Sequence, residues 1–212
     1  SYGPPSLRDQ LVALLVAALC SILFLGKGLA PGCALLPFPP EGIQPWRDDA
    51  VSKGEKLDTL LVGNSSMGDK FGQSLAWDRI QHDALREGRF PLWTRLIGGG
   101  QPFVPQMSQV YEPWTWLLLL VPALGAYGIW FFLHQALFGF FAYRFVRRIG
   151  CSHAAGLVGV VAIVLGMWMQ ARLHHNVIVS AALPLFPMLS CVHALAQGGS
   201  PRRAAGWLGL LA

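Results

Sequence analysis

The sequence predicts an all-α, polytopic membrane protein with a long, partly helical first extracytoplasmic loop. Three observations predict it. Of 212 residues, 53% are hydrophobic and 13% are charged, against ~25% charged in an ordinary soluble domain. All 11 acidic residues lie between Asp9 and Glu112, and a later half without carboxylates suits a bilayer better than water. Apolar stretches of spanning length recur, separated by short basic loops. This composition excludes disorder, a coiled coil and a nucleic-acid-binding arm, whatever the net charge of +5. The four cysteines are too scattered for a disulfide framework.

The first span is expected over 9–30, after Arg8. Leu11–Ala30 is apolar except for Lys27, which is close enough to the end to snorkel. An uncleaved signal anchor is the expected form. The competing form is a signal peptide, with Arg8 as its basic region and Leu11–Leu25 as its apolar region. Ala30-Pro31-Gly32-Cys33 makes a poor lipobox because proline sits inside it.

The next apolar stretch, Pro113–Val146, exceeds one span, since about 20 residues cross a core of ~30 Å. Pro122, Gly125 and Gly128 are expected to divide it. That gives an interfacial helix over 113–127, with Trp114 and Trp116 in the aromatic belt, and a second span over 128–147. A third span is expected over 153–171, a fourth over 176–196 and the start of a fifth over 203–212. With the fifth cut off and no initial Met, the chain reads as a fragment of something longer.

Arg8, the Arg144/Arg147/Arg148 cluster and the Arg202/Arg203 pair share one side of four spans. The positive-inside rule makes that side cytoplasmic. Residues 31–112 and the loop at Arg172, His174 and His175 are then outside. Cys33 alone is clearly extracytoplasmic, so no intrachain disulfide is expected.

The outer loop, 31–112, holds 10 of the 11 carboxylates and is too long to be a plain connection. Residues 31–50 read as irregular chain, and Leu57–Val62 as a short strand or buried turn. Ser66–Glu87 reads as a helix, opened by a capping box at Ser66-Met67-Gly68-Asp69 and stopped by Gly88. Asp69, Gln73 and Trp77 fall at successive i+4 positions and share a face. A carboxylate, an amide and an indole in a row suit a sugar: a proton acceptor, a hydroxyl bridge and a stacking plane. Plain helix capping by Asp69 and interfacial anchoring by Trp77 are the alternatives.

Gly98-Gly99-Gly100 is no phosphate loop, lacking both the following Lys-Ser/Thr and a preceding strand. Gly63-Asn64-Ser65-Ser66 is no nucleophile elbow, though Asn64-Ser65-Ser66 matches a glycosylation acceptor. Arg172, His174, His175 and Asn176 form a donor-rich corner suited to a phosphate, or equally to head-group anchoring. Adjacent histidines face different ways, and no metal-ligand spacing is present. The cofactor is unassigned, a divalent metal included. His134 and His193 lie inside spans, where a histidine is either functional or bonded to a neighbouring helix.

Asp69-Lys70-Phe71-Gly72-Gln73, then Trp77, then Leu85 through Trp93, then Gly99-Gly100-Gln101-Pro102 resembles the first outer loop of YfhO-like bacterial membrane proteins. Gln106 through Pro113, Leu133-His134 and Trp168 through Pro184 continue the resemblance, which covers roughly residues 60–195. The resemblance implies a GT-C-like helical bundle in the bacterial cytoplasmic (inner) membrane. It further implies transfer of a sugar from a polyprenyl-phosphate donor to an envelope glycan or lipid acceptor at the outer face. Asp69 takes the place of the catalytic base. Gln73, Trp77, Arg79, Trp93, Arg95, Arg172 and His175 are the expected substrate-binding residues. The sequence departs from the family pattern at Ala76, where proline is common, and at Thr94, where asparagine is common. The alternative classes are a lipid-linked-sugar flippase or transporter subunit, which would place paired charges or broken helices at mid-membrane, and a subunit that scaffolds envelope assembly.

Overall fold

The computed structural model describes residues 5–30, 33, 35, 36, 39, 46–54, 74–96, 98–103, 116, 123–172, 175–202, 204 and 206. The described elements are α1 (Leu7–Leu25), α2 (Trp46–Ser52), α3 (Leu75–Arg86), β1 (Trp93–Thr94), β2 (Gln101–Pro102), α4 (Ala123–Arg148), α5 (His153–Val164), α6 (Met167–Ala171), α7 (Asn176–Ala182) and α8 (Leu185–Ala196). Four helical segments are long and apolar enough to cross a membrane: Leu7–Leu29, Gly125–Arg148, His153–Ala171 and Asn176–Ala196. The chain is therefore read as a helical membrane protein. It divides into two compact units, one of Ser1–Lys27 with Phe131–Ala212 and one of Gly28–Trp130.

In the first unit, α1 opens with a capping box. The Ser6 hydroxyl accepts from the Asp9 amide at 3.1 Å, and the Asp9 carboxylate accepts from the Ser6 amide at 3.3 Å. Small residues let the helices come close. Ala13 and Ala17 of α1 pack with Tyr143 of α4 and with Val160 and Val164 of α5. Lipid tails are as apolar as leucine, so close packing and interhelical hydrogen bonds, rather than hydrophobic exclusion, hold such helices together. Gly139 sits at a tight point between these helices. A Cβ there would lie 2.5 Å from Val164 Cγ2 and 3.3 Å from Ala17 Cβ. Phe186 of α8 stacks obliquely on Phe138 and Phe145 of α4, at 5.1 and 6.0 Å between centroids.

Three features differ from the sequence expectations. First, α4 is one helix of 26 residues, about 39 Å at 1.5 Å per residue. It does not divide between 127 and 128. Gly125 and Gly128 cost helix propensity without breaking the ladder, and Gly128 instead lets the carbonyl of Gly28 approach. Second, the third and fourth spans are each interrupted, after Val164 and after Ala182. Gly166 packs against the Ala162 carbonyl, and Pro184 has no N–H to continue α7 into α8. Alone, α5 is about 18 Å long, so the first interruption falls within a hydrocarbon core of ~30 Å. Third, the end of the stretch expected to be irregular is helical, as α2, with Asp48 and Asp49 in its first turn, where negative charge suits the helix dipole.

The second unit also holds α3 and the β1–β2 hairpin, which pairs Trp93 with Pro102 and Thr94 with Gln101. The sequence expectations for Leu57–Val62, for the Ser66–Asp69 capping box and for most of 203–212 lie outside the described residues.

Candidate functional site

Helix α3 ends as its sequence requires. Gly88 adopts a φ of 69°, and the Arg89 amide reaches back to the Ala84 carbonyl at 2.9 Å, satisfying an orphan acceptor of the last turn. Asp69 and Gln73 lie outside the described residues. Trp77, the third member of that expected face, is half-buried in α3. One further i+4 step reaches Gln81. It is buried, donates to the Trp77 carbonyl at 3.4 Å, and leaves its own Oε1 buried without a partner. The sequence reading stopped at Trp77, and extending the same period would have found Gln81.

Arg79 is exposed and donates from Nε to Asp83 at 2.9 Å, one turn on. Asp83 also meets His82 Nδ1 at 3.0 Å. The hydrogen bonds from His82 and then Arg79 hold the Asp83 carboxyl below the usual carboxylate range. That stabilisation is present at neutral pH and is lost as acid protonates Asp83. Arg79 is thus engaged by a carboxylate.

Past Gly88 the chain enters the hairpin. Thr94 is buried while its neighbours Trp93 and Arg95 are both exposed. Gly98, Gly99 and Gly100 all have positive φ, and a Cβ on Gly100 would lie 3.1 Å from Trp93 Nε1. Glycine there lets the strand pass against the indole edge. An exposed indole on β1 and an exposed guanidinium just after it can stack on a pyranose face and bind a phosphate.

Arg172 and His175 belong to the other unit. A turn joins them, with the His175 amide donating to the Arg172 carbonyl at 2.9 Å. Both are half-buried, and His175 Nδ1 is buried without a hydrogen-bond partner. His174 lies outside the described residues. His134 is fully buried and His193 half-buried in their spans.

Two polar groupings in the first unit escaped the sequence reading. Gln135, fully buried in α4, donates to the Val164 carbonyl at 2.8 Å, where α5 stops. Its Oε1 is buried without a partner. Gln170 likewise caps the Leu165 carbonyl at 2.8 Å. The second grouping joins helix ends: Tyr143 Oη meets His153 Nδ1 at 2.9 Å, and Asp9 Oδ1 lies 3.8 Å from the same nitrogen. Ser6-x-x-Asp9 is a legible capping signal, whereas an amide inside an apolar span has no local signature of its partner. Among the described residues no three His, Cys, Asp or Glu side chains come together to hold a metal ion.

No family model, curated protein or solved structure matches the chain.

Proposed function

We propose that the chain belongs to a membrane glycosyltransferase of GT-C type that uses a polyprenyl-phosphate sugar donor at the outer face of the bacterial cytoplasmic membrane. The observation that carries this reading is the ordered series from Asp69 to Pro113, which resembles the YfhO-like outer loop. The exposed Trp93–Arg95 pair supports it. In the reaction, the acceptor hydroxyl oxygen bonds to the anomeric carbon and gives its proton to the Asp69 carboxylate. The bond from that carbon to the phosphate oxygen breaks, and the polyprenyl phosphate leaves with the electron pair. The indoles of Trp77 and Trp93 and the amide of Gln73 hold the sugar and acceptor. Arg95 balances the phosphate charge; the alternative is Arg172 with His175. General-base help is worth roughly 10²–10⁴-fold.

Membranes containing the complete protein, given labelled polyprenyl-phosphate sugars, should move label into an envelope glycan or lipid. Asp69→Asn should lower that transfer about 10²-fold or more, with expression and insertion unchanged. Asn still caps a helix, so near-normal transfer by this variant would remove Asp69 as the base. Asp78→Asn and Asp83→Asn, elsewhere on the same stretch, should cost little.

A second reading, a lipid-linked-sugar flippase or transporter, is favoured by the interruptions in the third and fourth spans, since transporter sites are built at broken helices. Movement of labelled donor across the bilayer with its sugar–phosphate bond intact would select it.

A further inference from the structure

We propose that the β1–β2 hairpin is a membrane-insertion element, its apolar rim seated in the head-group region of the bilayer. The inference needs only that the chain spans a membrane, and it places Trp93 and Arg95, which the transferase reading gives to the donor, at the lipid surface where such a donor lies.

The hairpin exposes what a protein surface ordinarily hides. Leu96 is 80% exposed, Leu92 and Trp93 are each 58% exposed, and Phe90 is 39% exposed. Four large apolar side chains are exposed within seven residues of chain, a density that marks a binding surface. The hairpin is fixed in its own unit: Thr94 and Phe103 are buried, and the Phe103 amide bonds the Leu92 carbonyl at 2.9 Å. The Leu96 amide donates to Thr94 Oγ1 at 3.2 Å. The rim is thus held outward by a formed base.

Charge and position identify the occupant as lipid. Between residues 86 and 103 the charged side chains are Arg86, Glu87, Arg89 and Arg95. Glu87 is paired with Arg89, which leaves Arg86 and Arg95 exposed beside the apolar rim. Guanidinium groups flanking Trp, Phe and Leu match the head-group layer, where phosphates lie above the first methylenes and indoles concentrate. The compact unit that carries the hairpin also contains Gly28–Leu29, the end of the first spanning segment, and Gly125–Trp130, the start of the second. It is therefore planted on the bilayer at both of its ends.

The test uses the full chain in proteoliposomes, with the native cysteines replaced and an environment-sensitive fluorophore on Leu96→Cys or Leu92→Cys. Lys53→Cys, exposed on the turn after α2, is the aqueous control. The probes at 96 and 92 should emit to the blue, be quenched by lipids carrying a nitroxide near the head group, and resist aqueous iodide. The control should show the reverse. Iodide quenching at 96 and 92 equal to that at 53 overturns the proposal. So does shielding from both quenchers, which would mean that protein covers the rim.

Discussion

Gln135 shows what one residue does where there is no water to help. Its Nε2 occupies the carbonyl that α5 leaves behind at Val164. In a soluble protein, solvent would take that role. In hydrocarbon every backbone carbonyl must find a partner inside the protein. Gln135→Leu keeps the side chain's approximate bulk and removes the donor. It should destabilise the protein by about 1–3 kcal/mol, the typical cost of stranding a buried polar group. The loss should appear as a lower unfolding temperature in detergent. Gln135→Glu tests the same point differently: a buried carboxyl facing a carbonyl must stay protonated to donate. Its stability should therefore fall as pH rises from 5 to 8, while the parent changes less.

Helices fit one another here through absent side chains. At Gly139 a Cβ would meet Val164 and Ala17 at once, whereas at Gly159 the nearest neighbour would be Val146 Cγ2 at 3.6 Å, an ordinary contact. Gly139→Leu should then cost roughly 1–3 kcal/mol through overpacking. Gly159→Ala should be neutral or gain up to about 1 kcal/mol in helix propensity. Thermal unfolding of the two variants side by side separates packing from propensity; equal behaviour would disprove the tight contact. Elements were legible to the extent that their cause is local. Apolar length marked four spanning segments, and Gly88 marked the end of α3. The interruptions after Val164 and Ala182 were not legible. Gly166 and Pro184 permit a break, but the stabilisation of the first comes in part from Gln135, far away in sequence. The division of α4 expected at Gly128 failed for the converse reason, because that glycine serves a neighbour's carbonyl. Of the candidate site, Trp93 and Arg95 stand exposed together, Arg79 is taken by Asp83, and Gln81 needed only one more step of the period already in use.

At the scale of the molecule, charge asymmetry is the dominant feature. Basic residues cluster at Arg144–Arg148 and Arg202–Arg203, and carboxylates are confined to Asp9 through Glu112. By the positive-inside rule, basic turns on one side of four spanning segments predict an orientation with position 60 outside and residues 149–152 inside. A cysteine introduced at 60 should react with an impermeant maleimide on intact cells, and one at 149 only after lysis. The opposite pattern would invert the molecule and, with it, the face on which any sugar chemistry takes place.

The packing of Ala13 and Ala17 against Val160 and Val164 also has a temporal meaning. Helix α1 has its principal partner in α5, which is synthesised only after the entire region 31–112 and α4. Until then α1 must wait in the lipid or in the insertion machinery with the part of its small-residue face that meets Val160 and Val164 uncovered. By the time the partners meet, the intervening region is already in place. Insertions within that region therefore add little to the cost of closure, which grows only as the logarithm of length. A delay in translation between α4 and α5 would lengthen the wait, exposing the newborn chain to membrane quality control before its core has closed.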